Sequence, residues 1–233
     1  MNTQQIKTQL STQGFVVINN IFNNTEIENI INAIPTAETD NPAFRTTADL
    51  FAIRQFLKEV PIIKPLIFNR QFRFIVQQIF GADYFVVKSI YFDKPAASNW
   101  FVAYHQDLKI AVDKKVDAQG FNNWTVKNNQ FTVQPPLQIL EKIFTIRIHL
   151  DDTDENNGSH QKEIYRPETI DWQKEKEVVC NMEKGGVMLM KPLLLHASSR
   201  STNQQKRRVI HIEFSNAQLP EGLEWAEMEI IQF

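Results

Sequence analysis

Five residues have the types and spacing to do chemistry together: His105, Asp107, His196, Ser198 and Arg207. The first two lie in Tyr104-His105-Gln106-Asp107. In a strand, residues two apart share a face, so His105 and Asp107 offer an imidazole and a carboxylate to one point, and Gln106 faces away. A metal needs a third ligand. His196 supplies it, ending the apolar run Leu193-Leu194-Leu195 and opening a Ser-rich turn. Two histidines and one carboxylate form the facial triad of non-haem Fe(II) oxygenases, which leaves open positions for a co-substrate and O₂. A keto-diacid such as 2-oxoglutarate chelates iron through one end and needs a cation for its far carboxylate. Arg207 lies eleven residues after His196, and a guanidinium fork suits a carboxylate. Ser198 shares the strand parity of His196 and adds a second donor. Arg208 has the opposite parity and is expected to face outward.

These residues need a scaffold of strands. Tyr84 to Phe92, Phe144 to Leu150, Gly186 to Leu195 and Arg207 to Phe214 read as strands separated by polar or turn-rich stretches. In Thr145-Ile146-Arg147-Ile148-His149 the apolar residues share one face, with Thr145, Arg147 and His149 on the other. His149, and His211 with the parity of Arg207, are cavity or supporting groups, whereas His160 falls in a polar loop. The first third reads as helical after one early strand, Gly14 to Ile18. Asn23 caps a helix to Ile34 with Glu26 three residues on, and Pro35 stops it. Asp40 to Thr47 reads as loop. Leu50 to Lys58 and Pro65 to Phe80 read as two further helices, the second ended by Gly81. Gly185-Gly186 marks a tight turn. Strands after helices suggest a β-sandwich or barrel with helices packed outside.

Composition narrows the class. The 233 residues are 42% hydrophobic with a formal net charge of −2, enough for one sizeable core and a single domain over 1–233. There is no basic excess for nucleic acid, Lys206-Arg207-Arg208 being too short a cluster. No apolar run approaches a membrane span, and the Gln- and Thr-rich start does not resemble a signal peptide. Cys180 is the only cysteine, so no internal disulfide forms and a cytoplasmic setting is expected. There is no glycine-rich phosphate loop and no nucleophile elbow. The acidic stretch Asp151 to Ser159 is a weak calcium signal. Phe101, Phe121, Trp124 and Phe131 are candidates for an apolar pocket or for core.

Several stretches together resemble bacterial members of the phytanoyl-CoA dioxygenase family. They are Ile90 to Pro95, Asn99 to Val102, His105-Gln106-Asp107-Leu108, Val133 to Pro136, Arg147 to Asp152, Pro192 to Ser199, Arg207 to Phe214 and Gly222 to Trp225. The opening Gly14 to Ile18 followed by a helix is similar too. The resemblance implies a mainly β fold with flanking helices, the double-stranded β-helix or jelly roll. It implies Fe(II), 2-oxoglutarate and O₂, with oxidative decarboxylation of 2-oxoglutarate to succinate and CO₂ coupled to hydroxylation of a C–H bond in a small molecule. His105, Asp107 and His196 match the iron ligands, Arg207 the arginine for the 2-oxoglutarate carboxylate and Ser198 its helper. Gln106, Trp124 and Lys88 fall where family members place further cofactor-pocket residues. The carboxylate Asp107 favours hydroxylation over the halogenation of relatives that lack it. One departure stands out. The family follows Asn-Gly with an apolar strand and Pro-Gly-Ser-His, whereas Asn157-Gly158 runs straight into Ser159-His160: either the connection beside the site is shortened, or a segment is absent from the sequence. Two other readings of the residues stay open: a non-catalytic jelly-roll binding protein, and a cupin-like metalloenzyme that does not use 2-oxoglutarate and for which Arg207 is dispensable.

Overall fold

The computed structural model describes residues 2–34, 41–47, 50–96, 101–127, 129–156, 159–162, 177–202 and 205–231. The helices are α1 (Thr3–Gln13), α2 (Asn24–Ala33), α3 (Phe56–Glu59), α4 (Lys64–Ile67), α5 (Arg70–Phe80) and α6 (Leu137–Leu140). The strands are β1 (Phe15–Ile18), β2 (Phe44–Thr47), β3 (Leu50–Arg54), β4 (Phe85–Lys94), β5 (Val102–His105), β6 (Ile110–Val112), β7 (Asn122–Lys127), β8 (Gln130–Gln134), β9 (Ile143–His149), β10 (Ser159–Lys162), β11 (Glu177–Cys180), β12 (Val187–Met190), β13 (Leu195–Ser198), β14 (Arg207–Ser215) and β15 (Glu229–Ile230).

A large antiparallel sheet runs β1-β12-β9-β14-β4-β3-β2, with β15 also on β4. A second sheet runs β11-β10-β13-β5, and a third β6-β8-β7. The mainly β architecture with flanking helices is that of the jelly roll. Its logic lies in the period-2 alternation of β9 and β14. Ile146, Ile148, Ile210 and Ile212 are fully buried in the main core, together with Ile27, Ile30, Phe72 and Val76 of α2 and α5. The helices therefore cover the outer face of the large sheet. Phe144 of β9 and Phe214 of β14 stack there at 4.9 Å between centroids. The opposite face carries Arg147, His149, Arg207 and His211 and lines a cavity shared with the second sheet. At one end, Phe15, Met188, Met190, Cys180 and Leu194 form a separate apolar plug.

Local chemistry explains most of the helices. Asn23 and Glu26 form the reciprocal capping box expected from the sequence. Asn2 and Gln5 form another at α1, which ends at Gly14 in the left-handed region. Three expectations are corrected. Leu50 to Lys58 is strand β3 followed by the short α3, because Gln55 turns the chain at φ 50° between them. Pro65 to Phe80 is two helices, since Asn69 caps α5 and restarts the chain. Phe44–Thr47 is a strand paired with β3 rather than loop. Pro35, Asn99, Trp100 and the Asn157-Gly158 connection lie outside the described residues. Immediately after that connection, Ser159–Lys162 pairs with both β11 and β13, so His160 lies in a strand rather than in the expected polar loop.

Candidate active site

The expected strand from Gly186 to Leu195 is two strands in two sheets. β12 belongs to the large sheet and β13 to the second. Lys191-Pro192-Leu193-Leu194 turns between them, with the Leu194 N–H donating to the Lys191 carbonyl at 3.0 Å. Proline cannot donate to a ladder, so the apolar run breaks there. His196 is thus the second residue of β13 rather than the end of a strand. It pairs directly across from His105, the last residue of β5, and their ring centroids are 4.2 Å apart.

Asp107 lies beyond the end of β5, so simple strand parity does not place it. Its backbone N–H donates to the Pro192 carbonyl at 2.9 Å, and the Gln106 Nε2 donates to the Leu193 carbonyl at 2.5 Å. The turn that interrupts the apolar run therefore holds the segment after β5 against β13. Asp107 Oδ1 is 3.8 Å from His105 Nε2, and Oδ2 is 3.6 Å from His196 Nε2. Ligand atoms of the three residues all lie within 4.8 Å of one another.

The tautomers suit a metal. His105 Nδ1 meets the Ala103 carbonyl and His196 Nδ1 the Leu194 carbonyl, each at 2.9 Å. A carbonyl only accepts, so both Nδ1 atoms carry the proton and both Nε2 atoms present a lone pair. Burial, then the Arg147 charge, pushes His196 down to about 3, so it is neutral at ordinary pH. Burial works against ionising Asp107, but His196, Lys88, His211 and Arg147 outweigh it, and its carboxyl is held below the usual range. Neutral imidazole and ionised carboxylate are the states a metal requires. Asp107 Oδ2 is buried with no hydrogen-bond partner among the described residues. A divalent ion fits this donor set.

The cavity beside the triad has a volume of about 260 Å³ and is lined by both sheets. Arg207 and Ser198 meet there, with Arg207 Nη2 donating to Ser198 Oγ at 2.7 Å. Arg207 is 9% exposed, deep enough that its charge is costly without an anion. Arg208 points the other way and grips Asp151 through Nε and Nη2 at 2.9 and 2.6 Å. Lys88 lines the cavity and is paired with Glu213 at 2.6 Å, and Glu213 also meets His211 Nε2 at 3.0 Å. His149 lines the cavity and is 2% exposed. Its Nδ1 lies 2.9 Å from Thr153 Oγ1, while its buried Nε2 has no hydrogen-bond partner among the described residues.

Two of the sequence-derived site residues lie elsewhere. Trp124, on β7, packs partly buried against the second core of Val133 and Trp225 and is not among the cavity-lining residues. Phe121 and Phe131 join that core too. Gln106 also lies off the lining, bound to Leu193 as described. Arg147 is a cavity residue that the sequence marked only by its parity. Its Nη2 is 3.2 Å from His196 Nε2 and its Nε 3.4 Å from His211 Nδ1.

Fold and site together define a jelly-roll protein with a two-histidine, one-carboxylate centre. Residues 10–209 match the phytanoyl-CoA dioxygenase family profile, and the chain belongs to the phytanoyl-CoA dioxygenase family. Solved structures carry the same fold at low identity. EctD from S. alaskensis, solved with 2-oxoglutarate and 5-hydroxyectoine, superposes with a TM-score of 0.68 at 14% identity, covering 92% of this chain and 76% of its own. HygX from Streptomyces hygroscopicus, with nickel, 2-oxoglutarate and hygromycin B bound, gives 0.62 at 14% identity, covering 92% and 87%. A 2OG-Fe(II) oxygenase family oxidoreductase from Burkholderia pseudomallei gives 0.62 at 14% identity, covering 93% and 91%. No curated protein matches in the sequence comparison. Among the described residues, no helix is long and apolar enough to cross a membrane.

Proposed function

We infer that the chain is a single-domain Fe(II)- and 2-oxoglutarate-dependent oxygenase that hydroxylates a C–H bond of a small molecule. The observation that carries this reading is the pairing, in one cavity, of the His105–Asp107–His196 cluster with the buried Arg207–Ser198 pair. When bound, iron with 2-oxoglutarate and O₂ supplies the oxidising chemistry. The chain's own residues do the rest. The Ala103 and Leu194 carbonyls hold both imidazoles with Nε2 toward the metal position. The Pro192–Leu193 turn holds Asp107 and Gln106 in place. Arg207 and Ser198 take the far carboxylate of 2-oxoglutarate, and His149 Nε2 is a further donor for that carboxylate. Lys88 with Glu213 lends charge to the cavity wall. Trp124 supports the site only through the second core. The buried, unpaired Cys180, pushed up to about 12 by burial, suits a reducing cytoplasm.

The test is spectroscopic. Fe(II) and then 2-oxoglutarate are added to metal-free protein without oxygen, and the weak charge-transfer band of the iron–keto-acid chelate is recorded. The expected result is a band in the wild type that is lost in His105→Ala and weakened in Arg207→Ala. No band in folded wild type sinks the reading. Turnover untouched by Arg207→Ala moves the cupin-like alternative ahead.

A further inference from the structure

Four cations line the cavity: Lys88, Lys94, Arg147 and Arg207. Lys88 is matched by Glu213. The two charges of a divalent metal would be matched by Asp107 and the chelating carboxylate of the keto-diacid. The far carboxylate of that acid is matched by Arg207. Arg147 lines the cavity from β9, and none of the ion pairs among the described cavity residues includes it.

Its two hydrogen-bond partners among the described residues are imidazole nitrogens of His211 and His196. Neither is an anion. A guanidinium stays charged when buried; burial works against that charge, and Asp107 and Glu213, neither of them in an ion pair with it, do not offset the cost. The bond to His196 has a second consequence. Arg147 Nη2 sits on the Nε2 lone pair that a metal takes. A metal held by that lone pair would displace the Arg147 donor and leave it facing the cavity next to the triad.

We propose that the substrate of the oxygenase reading above is an anion, carrying a carboxylate or phosphate, and that Arg147 is its receptor. The guanidinium fork binds such a group through two parallel hydrogen bonds. Ile90, Phe92, Val102 and Val209 line the same cavity. They suit a compact hydrocarbon portion behind the acidic head. Arg147 is thus a specificity-determining residue, separate in task from Arg207.

The experiment is anaerobic calorimetry on protein loaded with Fe(II) and saturating 2-oxoglutarate. Hexanoate, hexanamide and inorganic phosphate are the probes, against wild type, Arg147→Gln and Arg147→Lys. The expected result is binding of hexanoate or phosphate at least tenfold tighter than hexanamide. Arg147→Gln abolishes that preference, Arg147→Lys keeps part of it, and both variants keep the charge-transfer band. Equal binding of hexanoate, phosphate and hexanamide by the wild type overturns the proposal. So does a preference that survives in Arg147→Gln. A band present in the wild type but lost in both variants overturns it as well, since the anion on Arg147 is then the keto acid itself. A band missing from the wild type is the failure of the oxygenase reading alone. The probes are then titrated with Fe(II) only, where an Arg147-dependent preference upholds the anion site and its absence overturns it.

Discussion

Glu227 lets a single buried carboxyl be read through folding stability. It is 8% exposed. Its Oε2 accepts from the Ser89 N–H at 2.8 Å, and Oε1 meets the Ser89 hydroxyl. That hydroxyl in turn accepts from the Leu57 N–H at 2.9 Å, tying α3 to β4. Burial is the largest influence on the carboxyl. The Ser89 bonds oppose it without prevailing, and Glu213 and Glu229 add to it, so Glu227 rises from 4.5 to about 7. At about 1.4 kcal/mol per pKa unit, this rise amounts to about 3 kcal/mol. Below pH 4.5 the group is protonated whether the chain is folded or not, and contributes nothing. Between 4.5 and 7 the unfolded chain releases the proton while the folded chain keeps it, so stability falls as pH rises. Above 7 the whole loss is present. Glu227→Gln mimics the protonated group and removes this dependence. At pH 8 the variant is expected to be more stable than the wild type by up to about 3 kcal/mol, or roughly 6–12 °C in Tm for a chain of this size. At pH 4.5 the two should nearly coincide. Urea unfolding of both proteins at several pH values, compared as differences so that other carboxylates cancel, measures it. A gap that does not change with pH, or a variant less stable at pH 8, refutes the reasoning.

Other expectations follow from single contacts. Arg207→Lys keeps the charge but loses the fork that meets Ser198, and 2-oxoglutarate affinity should fall roughly 10- to 100-fold in a titration of the charge-transfer band. His149→Phe removes an Nε2 that has no partner among the described residues and should weaken the same titration about tenfold while leaving Fe(II) binding unchanged. Gly185→Ala forces a side chain onto a left-handed backbone at φ 84°, with its Cβ 2.1 Å from the Phe22 carbonyl oxygen, and should cost roughly 2–4 kcal/mol in urea unfolding.

The parity of β9 and β14 was legible because one face of each strand is apolar and the other polar over several residues. The sequence placed Arg207 and Arg208 on opposite faces, and the structure has one in the cavity and one on Asp151. The strand break at Pro192 was less legible, because Leu193, Leu194 and Leu195 continue the apolar run across it. Leu193 packs in the second core, Leu194 in the apolar plug, and His196 in the site. β3 was read as helix because Leu50, Ile53 and Leu57 also fit a helical period. The residue that separates strand from helix is Gln55 in a left-handed conformation, and glutamine carries no turn signal. The third sheet was missed since β7 is almost wholly exposed and shows no apolar alternation.

The distribution of polarity across the large sheet explains how the chain holds a charged cavity inside a small fold. A sheet with one solvated face normally turns its apolar side toward its partner sheet. Here Phe144, Ile146 and Ile148 of β9 and Ile210, Ile212 and Phe214 of β14 face the helices, so the helical layer supplies the main core. The inner faces are released from packing and carry Arg147, His149, Arg207, His211 and Glu213. Replacing those groups by apolar ones is then expected to leave the main core untouched, as buried ionic groups often contribute little to stability compared with apolar substitutes. His149 Nε2 and Asp107 Oδ2 are buried without a hydrogen-bond partner among the described residues, and both residues line the cavity: the fold draws on one face of β9 and β14 and the cavity on the other.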